Sequence, residues 1–204
     1  MQVIDWERFL ESGLPLGEKF SSMTVGVFDG VHLGHRRLIE RVVSHNLPDH
    51  CQVASGLGVV RRGYVPVVIT FRQNHKTEET GSLQTFQQKI EVLERLGVKI
   101  TLVIDFTETF RRMAGIEFLE ILLKHGSIGF FAVGSAFRCG YQLDTDAAAI
   151  QNFFADRGIT AEIVPEVMED GLPISSSRIR SAIAGGDLSL AEKMLGRSLL
   201  DKEN

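Results

Sequence analysis

The sequence predicts an α/β fold in which helices flank a doubly wound, mainly parallel sheet of five strands. Two observations and one general rule support this prediction. Short apolar, β-branched segments alternate along the chain with amphipathic segments of helical period. With 204 residues, 44% of them hydrophobic, the chain is long enough for one domain with a sizeable core. Strands that alternate with helices are typical of parallel sheets built from crossover connections.

The five predicted strands share runs of apolar and β-branched residues, as expected of strands buried on both faces of a parallel sheet. They cover residues 22–28, 65–71, 99–106, 129–134 and 160–167. Between the first helix and the second strand, residues 46–64 carry several glycines and no clear periodicity. This stretch therefore predicts a long, irregular surface loop.

The predicted helices share an apolar stripe at helical spacing, and several are followed by a glycine that favours termination. They cover residues 35–45, 86–97, 115–126, 147–158, 177–184 and 189–195. The inward stripe of the first predicted helix is Leu38, Ile39 and Val42. In the second predicted helix the pattern indicates Ile90, Leu93 and Leu96 as its inward residues.

Composition excludes some classes of function. A net charge of −4 is not that of a general nucleic-acid binder, so we expect no nucleic-acid partner. No segment approaches the roughly 18 apolar residues of a membrane span, and the acidic amino-terminal segment is unlike a secretory signal. Cys51 and Cys139 lack metal-ligand spacing and are typical of reduced thiols. These features predict a cytoplasmic protein with no membrane partner.

The stretch VGVFDGVHLGH, residues 25–35, lies where the first predicted strand gives way to a helix. In doubly wound sheets, ligands bind at the carboxyl ends of strands. The N-terminus of a helix presents unpaired N–H groups and the positive end of its dipole, which suits a phosphate. Glycine permits close approach of the backbone, and two histidines three residues apart can point at one anion. The residues concerned are Gly26, Gly30, Gly34, His32 and His35.

Spacing alone leaves other interpretations open. Two histidines near a turn are also compatible with ordinary surface residues. A zinc site is a further option, although the remaining histidines, at positions 45, 50, 75 and 125, form no ligand pattern with them. The glycines fit neither the dinucleotide fingerprint nor the P-loop.

A second candidate motif is ISSSRIR, residues 174–180. Ser175 or Ser176 suits the N-cap of a helix whose apolar face would be formed by Ile179, Ala182 and Ile183. Hydroxyl and guanidinium groups at such a helix start are good phosphate ligands. An ordinary capped helix with solvated arginines is the alternative.

The family resemblance rests on these two motifs. GVFDGVHLGH resembles the GxFDxxHxGH signature of the nucleotidylyltransferase superfamily, and FDGVHLGH (28–35) resembles the bacterial FAD synthetase family. ISSSRIRSAIAGGDLSLAEKMLGRSL (174–199) is similar to that family's ISSTRIR, Gly-Asp and LGR segment. The resemblance implies a Rossmann-like nucleotidylyltransferase fold. It also implies transfer of the adenylyl group of ATP to FMN, giving FAD and pyrophosphate, with Mg²⁺ accompanying ATP.

The resemblance also assigns site residues. It implies that the catalytic residues are His32, His35, Ser177 and Arg178. It implies that ATP is bound by Gly26, Val27, Phe28, Asp29, Gly30, Gly34, Ser175, Ser176 and Arg180. On the acceptor side it implies Phe71, Arg72, Phe137 and Arg138. It names no metal ligand.

The middle of the chain departs from the family pattern. Val27 replaces the usual Asn, and the family's TFEPHP is TFRQNH here, with Arg72, Gln73 and Asn74. VGEDFRFG becomes VGSAFRCG, with Ser135 and Ala136 in place of an acidic pair. These segments line the acceptor side by resemblance. The alternatives are therefore a different hold on FMN, another phosphorylated acceptor, or a non-catalytic nucleotide-binding relative.

Domain organisation is expected to be simple. Residues 1–204 predict one FAD synthetase-like domain. Bacterial members of the family generally continue after LGRPY into a riboflavin kinase domain, for which this sequence leaves no room. Whether a separate kinase exists or the chain is a truncated form stays open at this stage.

Overall fold

The computed structural model describes residues 1–45, 52–55, 58–61, 63–72 and 81–199. Within these residues, the strands in chain order are β1 Gln2–Asp5, β2 Phe20–Val25, β3 Gln52–Ser55, β4 Gly58–Arg61, β5 Tyr64–Phe71, β6 Ile100–Ile104, β7 Ile128–Gly134, β8 Arg138–Cys139, β9 Thr145–Asp146, β10 Thr160–Val164, β11 Met168–Glu169 and β12 Leu172–Pro173. The helices are α1 Trp6–Ser12, α2 Leu33–Ser44, α3 Phe86–Arg95, α4 Glu108–Arg111, α5 Gly115–Gly126, α6 Ala147–Ala155, α7 Ser176–Ala184 and α8 Leu188–Leu195.

The central sheet has the strand order β1-β6-β5-β2-β7-β10, and every neighbouring pair in it is parallel. Without β1, the strands follow the order third, second, first, fourth, fifth along the chain. This is a doubly wound sheet with its switch point between β2 and β7, as the sequence predicts. At the switch point, the carboxyl ends of these two strands open a crevice for a ligand.

The sheet has six strands rather than the predicted five. The additional strand, β1, pairs at the edge with β6 through registers such as Val3 with Thr101. Its four residues, QVID, are too few to show a strand period, and only Ile4 among them is buried. The edge strand is therefore stabilised by its pairing with β6, which local sequence does not reveal.

Helices cover both faces of the sheet. On one face, α2 and α3 pack through a cluster that includes Leu38, Val42 and Leu93, which confirms the predicted stripe of α2. On the other face, α1, α5 and α6 pack through a larger cluster that includes Phe118 and Phe154. All six predicted helices are present, with ends displaced by at most three residues. Helices α1 and α4 were not predicted.

The buried stripe of α3 differs from the predicted one. Lys89, Val92 and Leu93 are its buried residues, whereas Ile90 is only half-buried. Helical periodicity fits both phases, and the prediction followed the apolar residues because a lysine is rarely buried. Burial of Lys89 therefore has a specific cause, which lies at the site.

The stretch 46–64 is not wholly an irregular loop. Its described part contains the antiparallel pair β3–β4, with Gln52 opposite Arg61 and Ser55 opposite Gly58, together with Gly63 and with Tyr64, which begins β5. The glycines were read as loop residues, whereas Gly58 begins a strand. The rest of the predicted loop, and the predicted landmarks Cys51, Gln73 and Asn74, lie outside the described residues.

Two further antiparallel pairs, β8–β9 and β11–β12, follow β7 and β10 near the carboxyl end of the sheet. Helices α7 and α8 pack on each other through Ile179, Met194 and Leu195. Across the described part of the chain, no helix has the length and apolarity needed to span a membrane.

Candidate active site

The turn after β2 has an unusual backbone. Phe28 and Val31 adopt positive φ values of 53° and 38°, although neither is a glycine, and both side chains are fully buried. Such conformations cost on the order of 1–3 kcal/mol each and persist only where the surrounding packing holds them. Strain of this kind is concentrated at functional sites.

The glycines of the turn make room for aromatic rings as well as for a ligand. A Cβ at Gly26 would lie 3.0 Å from the Phe28 ring, and a Cβ at Gly34 would lie 3.2 Å from the His32 imidazole. Gly30 has a φ of 81°, which favours glycine. The sequence argument assigned these glycines to approach of the anion. Their first role here is to fit the two rings.

The two histidines form one unit at the start of α2. His32 is the N-cap, and its Nδ1 accepts a hydrogen bond from the His35 backbone N–H at 3.3 Å. The two imidazoles stack with centroids 3.6 Å apart, and the His35 ring meets Phe28 edge-on at 5.2 Å. Both side chains line the same cleft, as the spacing predicted.

Burial keeps this histidine pair neutral. It lowers the pKa of His32 to about 4. It also lowers the pKa of His35 well below its usual value, and the nearby His32 and Lys89 charges add to this effect. Both imidazoles are therefore neutral in the free protein at pH 7. Negative charge of a bound polyphosphate would raise both pKa values and favour protonation.

Asp29 occupies the centre of a buried polar network. One carboxylate oxygen accepts hydrogen bonds from the Ser82 hydroxyl at 2.8 Å and the Leu83 N–H at 2.9 Å. The other pairs with the Arg180 guanidinium at 2.6 Å. This carboxylate is thus committed to holding the turn against α7.

Two further contacts join the first and last motifs. The Ser176 hydroxyl donates to the backbone carbonyl of Asp29 at 2.8 Å, and the Arg197 guanidinium donates to the carbonyl of Gly30 at 2.7 Å. The partners are 147 and 167 residues apart in the chain. The two motifs identified from sequence therefore form one structural unit at the carboxyl end of β2.

The start of α7 follows the sequence prediction in part. Ser175 is the N-cap, and its hydroxyl accepts from the Arg178 N–H at 3.2 Å. The Arg178 guanidinium, by contrast, donates to the carbonyls of Glu169 and Leu172 at 2.8 and 2.9 Å. It holds the β11–β12 hairpin and does not line the cleft in this structure.

The principal cleft has a volume of about 420 Å³ and lies at the switch point. Most of the assigned catalytic and ATP-binding residues line it, namely His32, His35, Ser177, Gly26, Val27, Phe28, Asp29, Gly34, Ser175, Ser176 and Arg180. Gly30 and Arg178 do not. One side presents the N-termini of α2 and α7, and another presents the apolar residues Val164, Pro165 and Ile174. The cleft thus combines an anion-binding end with an apolar wall.

A second, mainly apolar cavity of about 320 Å³ adjoins the first. Of the four assigned acceptor residues, Phe71, Phe137 and Arg138 line it. Arg72 lines neither cavity, and its guanidinium pairs with Asp105 at 2.9 Å. Val25, Val27 and Phe137 line both cavities. The two therefore meet at the end of β2.

Sequence reasoning missed two buried polar residues under the turn. Gln84 donates from its amide to the carbonyl of Phe28 at 3.0 Å. Lys89 donates from Nζ to the carbonyl of Val27 at 3.1 Å. The available signal was a lysine spaced three and four residues before Val92 and Leu93 on an amphipathic helix. A charged residue in phase with a buried stripe indicates a specific polar contact.

The donor set offers no dedicated metal cage. Among the described residues, no group of three or more His, Cys, Asp or Glu side chains is arranged to hold a metal ion. Glu166 is an exposed carboxylate at the cleft, and Asp29 is already engaged. This set fits a magnesium ion that is held largely by substrate phosphates, since Mg²⁺ commonly binds through one or two carboxylates and phosphate oxygens.

The strand order defines the class of fold: this is an α/β protein with a doubly wound, Rossmann-like parallel sheet. A similar arrangement occurs in the crystal structure of a macrolide-efflux protein from Streptococcus pneumoniae. The TM-score is 0.77 and the identity 24%, and the match covers 97% of this chain and 62% of that one. The family model described as FAD synthetase matches residues 17–178, well over half of the chain. The chain belongs to the FAD synthetase family.

Curated relatives carry the name bifunctional riboflavin kinase/FMN adenylyltransferase. The protein from Escherichia coli K12 is 28% identical over 181 residues, covering 85% of this chain and 53% of its own length. That from Haemophilus influenzae is 30% identical over 186 residues, with 86% and 55% covered. That from Bacillus subtilis is 28% identical over 184 residues, with 87% and 54% covered. The chain thus spans about half the length of these relatives.

Proposed function

We propose that this chain transfers the adenylyl group of ATP to FMN, giving FAD and pyrophosphate. The observation that carries the proposal is the junction of two cavities at the end of β2. One has an anion-binding end made of two helix N-termini, and the other is mainly apolar and lined by phenylalanines. Membership in the FAD synthetase family, and the names of the relatives, support this choice of substrates.

The first cavity suits ATP. A purine base and ribose fit against the apolar wall at Val164 and Ile174, because flat apolar surface is best removed from water. The phosphates then lie at the starts of α2 and α7, where N–H groups and helix dipoles favour negative charge. His32, His35 and Ser177 lie around this end as the groups that contact the phosphates.

The second cavity suits the acceptor. Phe71 and Phe137 line this cavity with aromatic rings against which a flat isoalloxazine would pack, and Arg138 supplies a cation for its phosphate. The acceptor phosphate must reach the α-phosphorus of ATP, and the walls shared by the two cavities, Val25 and Val27, mark that point.

Catalysis follows from positioning and charge. A phosphate oxygen of FMN forms a bond to the α-phosphorus while the bond from that phosphorus to the β-bridging oxygen breaks, and pyrophosphate leaves. The imidazoles are neutral before ATP binds. The negative charge of the polyphosphate raises their pKa values and favours protonation. Their positive charge then stabilises negative charge that develops on the phosphoryl oxygens. When bound with ATP, Mg²⁺ would neutralise phosphate charge. Glu166 is the cleft carboxylate that would help to hold it.

In this proposal Arg178 acts by holding the β11–β12 hairpin rather than by contact with ATP. Its guanidinium fixes the backbone of Glu169 and Leu172, and the same helix start carries Ser177 into the cleft. The departure at Arg72 supports one alternative, a different phosphorylated acceptor, because Arg72 is bound to Asp105 rather than facing the acceptor cavity. We also propose that the reaction takes place in the cytoplasm, because of the sequence composition described above.

The test is incubation with ATP, Mg²⁺ and FMN, followed by chromatographic separation of FAD. We expect FAD and pyrophosphate in equal amounts. His35→Ala should lower kcat by about 100-fold or more with little change in the Kd of a non-hydrolysable ATP analogue, since its charge acts in the transition state. Lys99→Met, on the exposed surface, serves as the control and should behave as the unaltered chain. Pyrophosphate release with another phosphorylated flavin or sugar, but none with FMN, would assign the alternative acceptor.

A further inference from the structure

Lys89 is a buried cation whose hydrogen-bond partners among the described residues are all neutral. Its side chain lies on the sheet-facing side of α3, with only 6% of the residue exposed. Nζ donates to the carbonyl of Val27 at 3.1 Å, the hydroxyl of Thr70 at 3.2 Å and the carbonyl of Phe71 at 2.9 Å. Among the described residues, no carboxylate lies within salt-bridge distance of it. Three neutral acceptors therefore use all three donors of the ammonium group.

The three acceptors belong to the two walls that must be aligned. Val27 lies between the ATP cleft and the acceptor cavity and precedes the strained Phe28. Phe71 ends β5 and lines the acceptor cavity. Thr70 joins them, because its hydroxyl also donates to the carbonyl of Val27 at 3.1 Å. Lys89 thus ties the floor of one cavity to the wall of the other.

A buried charge at this point has a cost that an apolar side chain would avoid. Burial lowers the pKa of Lys89 to about 8, while the Asp29 charge acts in the opposite direction. The titratable and charged groups that face it are Asp29 in the turn and the neutral His35 on α2, with Arg72 across the Phe86 ring. Removal of a charge from water is costly even when hydrogen bonds replace the hydration. Such an arrangement persists where alignment or charge is needed.

We propose that Lys89 is a positioning residue for adenylyl transfer, whose ammonium fixes the Val27 and Phe71 carbonyls so that ATP and acceptor meet in line. This inference rests on the proposed function. The Lys89 ammonium also adds positive electrostatic potential below the phosphate-binding end of the cleft, although it contacts neither substrate. Alignment of reacting groups affects turnover more than the binding of either substrate.

The test compares Lys89→Met with the unaltered chain and with Lys99→Met, which removes an exposed lysine. Methionine fills a similar volume but donates no hydrogen bond. We expect Lys89→Met to lower kcat by about 10- to 100-fold and the KM for ATP to change less than about threefold. In the unaltered chain kcat/KM for ATP should fall as pH rises through about 8, the pKa of Lys89 in the free protein, and this fall should be absent from Lys89→Met. A kcat equal to that of the unaltered chain, or an unchanged pH profile, overturns the inference.

Two further measurements keep the result interpretable. The melting temperature of Lys89→Met should fall by no more than a few degrees, because relief of the buried charge offsets part of the cost of leaving the Val27 and Phe71 carbonyls without this donor. Amide hydrogen exchange should quicken in residues 26–30 and 69–71 together, with or without activity. Unchanged exchange in both segments contradicts the positioning role. Failure of the unaltered chain to make FAD contradicts the proposed function instead and leaves the exchange result to decide the role of Lys89.

Discussion

The Arg180 guanidinium lies 2.6 Å from the Asp29 carboxylate and joins two motifs that are 151 residues apart in the chain. Asp29 is almost fully buried, and Arg180 is mostly buried. Both residues were assigned to ATP on sequence grounds. Their pairing shows that they also assemble the cleft, since the turn after β2 and the start of α7 meet through this contact. Under the proposed function, this pair therefore couples ATP affinity to fold stability.

We expect Arg180→Met to lower the free energy of unfolding by about 3 kcal/mol, because it leaves a buried carboxylate without its counter-ion. Urea unfolding followed by circular dichroism measures this. The control is Arg41→Met, which breaks the exposed Arg41–Glu162 pair and should cost less than about 1 kcal/mol. Equal stability of Arg180→Met and the unaltered chain would show that Ser82 and Leu83 suffice for Asp29.

The histidine pair predicts a loss of stability in acid. Burial lowers the pKa of His32 to about 4, so the unfolded chain binds a proton near pH 6.5 that the folded chain does not bind until about pH 4. The unfolded state therefore gains protons first, and the free energy of unfolding falls as pH drops through this window. His35, whose pKa is also lowered, adds to the fall.

His32→Asn tests this pH dependence. Asparagine keeps an N-cap acceptor for the His35 N–H but does not titrate. We expect the variant to lose less unfolding free energy between pH 6.5 and 4, by on the order of 3 kcal/mol at most, with the remaining loss due to His35 and other groups. Denaturant unfolding at several pH values gives the comparison. Identical pH dependence of the two chains would mean that His32 is not neutral in the folded protein.

Local pattern predicted the elements that depend on neighbouring residues. The cap at Ser175 and the apolar stripe of α2 follow from spacings of three or four positions, whereas the N-cap role of His32 was not predicted. The pairing of Asp29 with Arg180 and the burial of Lys89 do not follow from such spacings, because each depends on partners distant in the chain. Periodicity also treats a lysine as an outward residue, so the inward phase of α3 was misassigned.

The same limit explains the Arg178 result. A helix start with two arginines indicates phosphate binding, and the sequence cannot show that a neighbouring hairpin offers carbonyl oxygens to one of them. The carbonyls of Glu169 and Leu172 hold Arg178, whereas Arg180 reaches Asp29. Partners that are distant in the sequence therefore decide that Arg180, and not Arg178, lines the cleft.

Arg178→Ala should raise the KM for ATP, because the β11–β12 hairpin loses the donor that fixes its backbone and the start of α7 loosens. Arg178→Lys should restore ATP dependence only in part, since both carbonyls accept from one terminal guanidinium nitrogen, which lies one bond farther from the backbone than a lysine Nζ does. Initial rates of pyrophosphate release against ATP concentration provide the measurement. Arg157→Ala, which removes an arginine that packs on Phe153, is the control. Unchanged ATP dependence in Arg178→Ala would reduce Arg178 to a helix-start residue without influence on the cleft.

The acceptor cavity gives the last prediction, which concerns Phe71. Its ring meets Phe106 at 5.6 Å and Phe110 at 6.0 Å, so three aromatic rings form part of one wall. Phe71→Leu keeps most of the apolar volume but removes the flat face, and contact between aromatic rings is worth about 0.5–1.5 kcal/mol beyond buried area. We expect the Kd for FMN to rise by about three- to tenfold, while the Kd for an ATP analogue stays constant because Phe71 does not line the ATP cleft. Flavin fluorescence titration in the presence of the analogue measures the first value, and calorimetry measures the second. An equal rise in the Kd values of both ligands would indicate that the shared wall at Val27 had collapsed. An unchanged Kd for FMN would mean that the flavin ring binds elsewhere.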